Sequence, residues 1–388
     1  MVYALIDCNN FFASCEKLAN PKLEGKPIVV ASGVDGIVVA RSKEAKALGI
    51  PMGAALFEWR DIVSKYNVYV ATSNFHLYGQ VSRHVMQTLK SFGYDTEIYS
   101  VDEAFLRAAA ISHEEATWMK EEVKRKTGID VSVGVAPTKT LAKAANFFAK
   151  QKPELQGVMV MDDIERALKE MPVEEVWGIG RKIATRLRRH QIYTAWDLSQ
   201  QPDDSIRKIL SVVGLRMAFE LRGTPCLGFH EFREPKKSIS TARSFKQREK
   251  LIENIEPILA SYVEQIAHEL RSEKQLASTL TVWIETNPFG KDEYYSQAAA
   301  HVFSEPTAFT PEMIRVAKEL LQGIFREGFS YKKVGIMVSD LVPQGSFQRD
   351  FLKETDDAAF HRQQKLMKLV DEMNETFGKK TLYFGAQM

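Results

Sequence analysis

The apolar pattern of this chain changes character twice, dividing its 388 residues into three regimes that no single sheet or bundle can accommodate. As far as residue 163, runs of strand length alternate with stretches of helical spacing. Strands are expected at Val2–Ile6, Ile28–Ala31, Ile37–Ala40, Glu97–Leu106 and Asp130–Val135. Helices are expected at Asn10–Leu18, Ser42–Leu48, Phe75–Phe92, Glu114–Thr127 and Leu141–Lys150. Pro21, Gly25-Lys26-Pro27, Gly49 and Pro51 punctuate them, and Gly33 to Gly36 reads as a turn. This alternation predicts an α+β sheet domain with helices on one face. From about Ile164 to Arg222 the spacing is helical throughout. From Lys237 the expected order is strand Ser238–Phe245, helix Leu251–Glu273, strands Ser278–Glu285 and Gln297–Phe303, helix Pro311–Glu327 and strand Lys333–Leu341. The charged stretch Glu231–Lys237, with Pro235, reads as a linker, and after Pro343 a polar tail holds one more helical stretch, Asp356–Phe377. The chain is therefore expected to be α+β and multidomain.

The charged residues nearly cancel to a net +2, so the total says little about partners and their clustering matters more. Three scattered cysteines, Cys8, Cys15 and Cys226, fit neither a disulfide framework nor a zinc site and predict a reduced, cytoplasmic setting. No apolar run approaches the roughly 18–20 residues of a membrane span. The N-terminus MVYALIDCNN lacks a basic segment before its short apolar run and reads as a strand, not a signal peptide.

Two apolar strands carry acids where burial is expensive. Asp7 ends the first, and Asp102-Glu103 interrupt the strand that contains Ile98-Tyr99-Ser100-Val101. Side by side, such strands would gather like charges, for which a divalent cation is the natural partner. Oxygen-only donors favour Mg²⁺, completed by substrate phosphates. Two ions about 3.5–4 Å apart would stabilise the attacking and leaving oxygens of an in-line phosphoryl transfer. Adjacent strand residues point to opposite faces, so Asp102 and Glu103 converge only if the strand turns or bulges there. A strand-end acid can equally well be solvated, and spacing alone does not choose.

The surroundings of these acids do. LIDCNNFFASCE, VVARSKEAKALGIPMG, EIYSVDEAFL and VGVAPTKTLAKAANFFAK occur in this order, and together they resemble the Y-family DNA polymerases, in particular the UmuC branch, the catalytic subunit of bacterial DNA polymerase V. The resemblance runs from residue 1 to about residue 345. It implies a right hand: a palm (1–20 and 74–163), small fingers (21–73), a helical thumb with a helix-hairpin-helix (164–230), a linker (231–237), a little finger (238–345) and a tail (346–388). Its metal ligands would be Asp7, Asp102 and Glu103, holding two Mg²⁺ for which Mn²⁺ can substitute. Phe12, next to Phe11 at the nucleotide site, falls where the family keeps a steric gate under the sugar. Lys46 and Lys150 fall where basic residues hold the triphosphate. Lys43 replaces a triphosphate-binding tyrosine of several relatives, and Ile37 and Val39 would roof the nascent base pair. The activity implied is error-prone translesion synthesis from dNTPs on primer-template DNA in the DNA damage (SOS) response. No second acidic cluster suggests a proofreading exonuclease.

Basic residues cluster where such an enzyme would hold DNA. Gly178-Ile179-Gly180 precedes a helix opened by Arg181-Lys182 and continued by Arg186, Arg188 and Arg189, a hairpin able to aim backbone N–H groups at a phosphate. KKSISTARSFKQREK, Lys236 to Lys250, is dense in cations, and Arg243 is expected on the exposed, DNA-facing side of its strand. In the tail, Gln348, Phe351 and Leu352 stand where relatives carry a sliding-clamp peptide, although Arg349 replaces an apolar position. A UmuD-type accessory dimer and a recombinase filament are further partners the resemblance implies. Two rival classes are a nucleotidyl cyclase, which can share such a palm, and a DNA-binding protein with a dead palm. Neither explains the basic hairpin together with the intact acids.

Overall fold

The computed structural model describes residues 1–33, 36–229, 235–290, 292–346, 357–378 and 381–388, with side chains in the last long helix from residue 362 onward. The chain forms two compact units, Met1–Arg233 and Glu234–Met388.

The first unit is built on a five-stranded sheet. It contains β1 (Val2–Cys8), α1 (Phe11–Ala19), β2 (Ile28–Ala31), β3 (Val38–Arg41) and α2 (Lys43–Ala47). There follow α3 (Arg60–Lys65), β4 (Tyr69–Thr72), α4 (Phe75–Lys90), β5 (Asp95–Ile98), β6 (Glu103–Ala108) and α5 (His113–Thr127). Then come β7 (Val131–Ala136), α6 (Lys139–Gln151), β8 (Val158–Val160), α7 (Ile164–Glu170), α8 (Arg181–Arg189), α9 (Ala195–Ser199) and α10 (Asp203–Leu221). The main sheet has the order β5-β6-β1-β7-β8, and a separate small sheet has the order β3-β2-β4. β4 and β8, only four and three residues long, were not foreseen.

Two expectations are corrected. Glu97–Leu106 is not one strand: β5 and β6 form an antiparallel hairpin with Tyr99–Asp102 in its turn, where the N–H groups of Tyr99 and Ser100 both reach the Glu103 carbonyl. The apolar residues Ile98 and Val101 gave this turn the look of a continuous run. Helices also cover both faces of the main sheet, not one. Tyr78 and Leu89 of α4 and Met119 and Val123 of α5 pack on the face of Ile6, Leu106 and Val133. On the other face α6 brings Leu141, Ala145 and Phe148 against Tyr3, Leu5 and Phe105.

The sequence of β7 explains the closeness of α6. In VSVGVA the valines serve the first face, and Ser132, Gly134 and Ala136 leave the second nearly bare. A Cβ at Gly134 would stand 2.8 Å from Asn146 Cα and closer still to Asn146 N and Ala142 O. The buried Asn146 fixes the seat, its Nδ2 donating to the carbonyls of Ser132 (2.8 Å) and Leu5 (3.3 Å).

The second unit has a four-stranded antiparallel sheet, order β11-β10-β12-β9, from β9 (Ser238–Glu249), β10 (Gln275–Thr286), β11 (Ser296–Thr307) and β12 (Tyr331–Pro343). Helices α11 (Ile252–Ser272) and α12 (Thr310–Ile324) cover the face of Leu280, Val282, Ile284, Val334, Ile336 and Val338. This is the strand-helix-strand-strand-helix-strand order the sequence announced. The tail helix α13 (Asp357–Phe377) docks on α11: Asp371 receives Arg271 through Nε (2.6 Å) and Nη2 (2.7 Å), and Met367 is buried.

Gly134→Ala should therefore push α6 off the sheet and lower stability by about 3 kcal/mol. Gly79→Ala is the contrast. Gly79 lies within α4 with nothing near its missing Cβ, so that change should stabilise by about 0.5–1 kcal/mol. Urea unfolding of both variants checks the opposite signs.

Candidate active site

Asp7 and Glu103 are direct partners across the antiparallel β1–β6 pair, so their side chains leave the same face of the sheet. That face is the one α6 covers. Along α6, Lys139, Lys143, Asn146 and Lys150 are spaced four, three and four residues apart, which places them on one stripe. Each lysine meets an acid of a different strand. Lys139 binds Glu97 of β5 in a pair buried on both sides. Lys143 Nζ lies 2.9 and 3.0 Å from the two Glu103 oxygens. Lys150 Nζ lies 2.6 Å from Asp7 Oδ1.

Burial is the largest influence on Asp7 and pushes its carboxyl up from 3.8 to about 6. Lys150 opposes this, and the neighbouring Glu103 charge adds to it. Asp102 sits one residue earlier, in the hairpin turn. Its carboxylate accepts from Ser100 Oγ at 2.7 Å, and its backbone carbonyl accepts from Cys8 N–H at 2.9 Å. The chain does turn at Asp102-Glu103, as convergence of the two acids would require. Among the described residues, however, no three acidic, imidazole or thiol side chains stand together as a metal-binding set. The donor chemistry nonetheless fits a hard divalent cation: two largely buried carboxylates lie side by side, each paired with a lysine, with a third acid at the adjacent turn.

A cleft of about 1060 Å³ is bordered by Asn9, Asn10, Lys43, Lys46 and the Asp7 partner Lys150, and on its other sides by Glu24, Glu44 and Asp130. Burial lowers the Lys46 pKa, and the charges of Arg41 and Lys150 lower it further. Arg41 donates through Nη1 to the Ile50 carbonyl, while its buried Nε has no partner among the described residues. Phe12, at the start of α1, is stacked on Tyr78 at 4.4 Å and meets Phe75 edge-on at 5.9 Å, and Tyr78 is itself anchored to Glu16 by a 2.6 Å hydrogen bond. Phe11 is buried in the core, its ring centroid 5.8 Å from that of Phe12. Ile37 is exposed, and Val39 packs partly against the core.

The basic residues elsewhere are placed unequally. Gly178 has φ +92°, and Gly180 caps the N-terminus of α8 in extended backbone. Arg181, Lys182 and Arg189 are exposed on that helix. Arg186, by contrast, donates to the Ile209 carbonyl (2.8 Å), beside the kink at Ser211, and Arg188 pairs with Glu174. Arg243 is exposed but pairs in register with buried Val334. It therefore belongs to the helix-covered face, at the sheet's edge, and the open face takes Ser240, Ala242 and Ser244. The expected face was wrong because Phe245, two residues on, shares the parity of Arg243. Lys236 is held by Glu269 and Glu273. Gln348, Phe351 and Leu352 lie outside the described residues.

Sequence reasoning missed Lys139, Lys143 and Arg41. The signal for the first two was available: lysines at helical spacing within an otherwise apolar helix that faces a sheet.

Comparison with known proteins agrees with this architecture. The impB/mucB/samB family matches residues 6–146, its C-terminal domain matches residues 236–351, and the helix-hairpin-helix motif of the same family matches residues 162–192. Protein UmuC of Salmonella typhimurium is 39% identical over 100% of this chain and 93% of its own length, and Protein ImpB of the same organism is 37% identical over the same shares. A solved Y-family DNA polymerase chimera superposes with a TM-score of 0.73 at 22% identity, over 88% of this chain and all of the other. The chain belongs to the Y-family DNA polymerases, in their UmuC branch, with the right-hand fold of that family, and is a DNA-directed DNA polymerase. That membership removes the cyclase alternative. Among the described residues no helix is long and apolar enough to cross a membrane.

Because Asp7 binds its proton more tightly folded than unfolded, its ionisation works against the fold. The loss develops as pH rises from about 4 to about 6 and is complete above that window. Asp7→Asn should then stabilise the protein by about 1–3 kcal/mol at pH 8, less whatever the unpaired Lys150 takes back, and change little at pH 4. Thermal or urea melts at both pH values check this.

Proposed function

We propose that this polymerase performs error-prone translesion synthesis in the DNA damage (SOS) response, by two-metal nucleotidyl transfer and without proofreading. The observation that carries the reading is the Asp7–Glu103 pair on adjacent strands, with Asp102 at the turn beside it, in a chain of this family. Two Mg²⁺ ions, or Mn²⁺ in their place, would lower the pKa of the primer 3′-hydroxyl and stabilise the oxygen that leaves with pyrophosphate. Asp7, Asp102 and Glu103 would hold them.

The remaining residues bind and orient. Lys46 and Lys150, with Arg41 behind them, offer positive charge along the cleft to a triphosphate, and Lys43 stands at its rim. Lys150 would exchange Asp7 for a phosphate as nucleotide enters. Phe12 is braced by Tyr78 and Phe75, so its ring cannot easily yield to a 2′-hydroxyl. Ile37 and Val39 would lie over the nascent pair. Gly178 and Gly180 at the hairpin, with Arg181, Lys182 and Arg189 of α8, suit contact with phosphates without reading sequence. Arg186 and Arg243 are weaker candidates, the first because its guanidinium is already engaged. The residue bounds given above for palm, fingers, thumb and little finger remain our assignment. It is supported by the five main-sheet strands falling within 1–20 and 74–163 and by the matched family segments. Clamp binding through Gln348, Phe351 and Leu352, the UmuD-type dimer, the recombinase filament and a cytoplasmic site of action belong to the same reading, by analogy with UmuC proteins.

Primer extension with Mg²⁺ tests the reading. Asp102→Asn keeps shape and removes charge, so extension should fall at least a hundredfold while primer-template binding, followed by anisotropy, is kept. Near-parent extension by this variant rejects the metal assignment. Phe12→Ala should cut the dNTP-over-rNTP preference by roughly a hundredfold, equivalent to about 2.7 kcal/mol, in single-nucleotide insertion. An unchanged preference in an active, folded variant would leave Phe12 as a core aromatic only.

A further inference from the structure

Lys143 has two sets of partners. On one side its ammonium meets both oxygens of Glu103, at 2.9 and 3.0 Å. On the other it lies 4.8 Å from the Tyr99 ring centroid and 4.9 Å from that of Trp177, with Phe105 at 6.0 Å. The rings support one another. Tyr99 and Trp177 meet edge to face at 5.4 Å, and Tyr99 meets Phe105 at 5.8 Å. Lys143 and Glu103 are both mostly buried, with side chains 14% and 18% exposed, so water cannot readily replace either partner. An ammonium between a carboxylate and two aromatic faces can give up the carboxylate and still be held. Trp177 directly precedes the Gly178-Ile179-Gly180 turn, and Tyr99 belongs to the same hairpin turn as Asp102, so the cage touches the basic hairpin and the acids together.

We propose that Lys143 is a positioning residue for Glu103: it holds the carboxylate in place, and it withdraws onto the Tyr99 and Trp177 rings when Glu103 takes a metal ion. The proposal rests on the reading of Glu103 as a metal ligand. A lysine with only a packing role would behave differently. Its removal would loosen the region, weakening metal binding and turnover together. A lysine that competes with the metal and also aims the carboxylate has opposite effects on the two.

Mn²⁺ binding to the full chain, without DNA or nucleotide, separates these cases, with free Mn²⁺ followed by its paramagnetic resonance signal. Lys143→Met should bind Mn²⁺ roughly three- to tenfold more tightly than the parent, because a competing positive charge is gone. Its kcat in primer extension should fall about tenfold, because Glu103 is no longer aimed. Lys143→Arg, which keeps the charge, should restore both toward the parent. Equal or weaker Mn²⁺ binding by Lys143→Met overturns the proposal. Should Lys143→Met not fold, the parent supplies the test. Trp177 emission, taken as the difference between the parent and Trp177→Phe, should shift over the Mg²⁺ range that saturates the site and should not shift in Glu103→Gln. No Trp177-dependent shift in the parent overturns the proposal. If the parent's metal binding is indifferent to Glu103→Gln, the metal-ligand reading itself fails and this inference falls with it. If Glu103→Gln weakens binding but Lys143→Met leaves it unchanged, only the role of Lys143 fails.

Discussion

Two carboxylates directly opposite one another on adjacent strands are the constraint around which the first unit is arranged. Asp7 and Glu103 would repel wherever they were placed so closely, and here they are also largely withdrawn from water. The fold answers with one helix. α6 lays a stripe of lysines over the acids of three strands, and it can do so only because it sits almost on the sheet. That closeness comes from the small residues of β7 and from Asn146, which ties the helix to backbone carbonyls of β1 and β7. A bulkier second face on β7 would lift the lysines away and leave the acids with no counter-charge.

Much of this was legible in the sequence, for identifiable reasons. The alternation of period located nearly every long element, because both units bury strongly apolar faces and a strand or helix with one apolar face declares its period. Asp7, Asp102 and Glu103 were singled out by the motifs around them, since acids at strand ends can equally be solvated. What stayed hidden depended on pairing. The β5–β6 turn could not be told from a strand, since its apolar residues continue the run on both sides, and the turn is visible only in the hydrogen bonds that close on Glu103. Lys143 looked like any helix-surface lysine until β6 was placed beneath it. Arg243 was given the wrong face because parity along a strand shows which residues share a face, not which face the helices cover.

The second unit meets a different demand. Its sheet is covered by α11 and α12 on one side, and on the other the central strands carry Thr279, Thr281, Trp283, Gly335 and Met337, with Ser238, Ser240, Ala242 and Ser244 along the edge. Trp283 lies across Gly335, where a Cβ would collide with the indole. Glu285 and Lys333, directly opposite one another on this face, pair at 3.0 Å. The tail helix is fastened to the same unit through Arg271 and Asp371.

On the reading proposed above, the charge of the site is arranged to be exchanged and not merely balanced. A structural ion pair is stable when neither member has a better partner. On the proposed reading both members of the pairs around Asp7 and Glu103 have one: the acids would take a divalent cation, Lys150, which borders a lysine-rich cleft, would take a phosphate, and Lys143 has an aromatic cage behind it. The raised pKa of Asp7 has the same meaning, since Lys150 does not fully offset the burial of that carboxylate. A chain selected only for stability would have replaced Asp7 with an uncharged residue. A buried charge at a strand end, opposite a second acid, is the kind of group that marks a functional site, in keeping with the role proposed for Asp7 above.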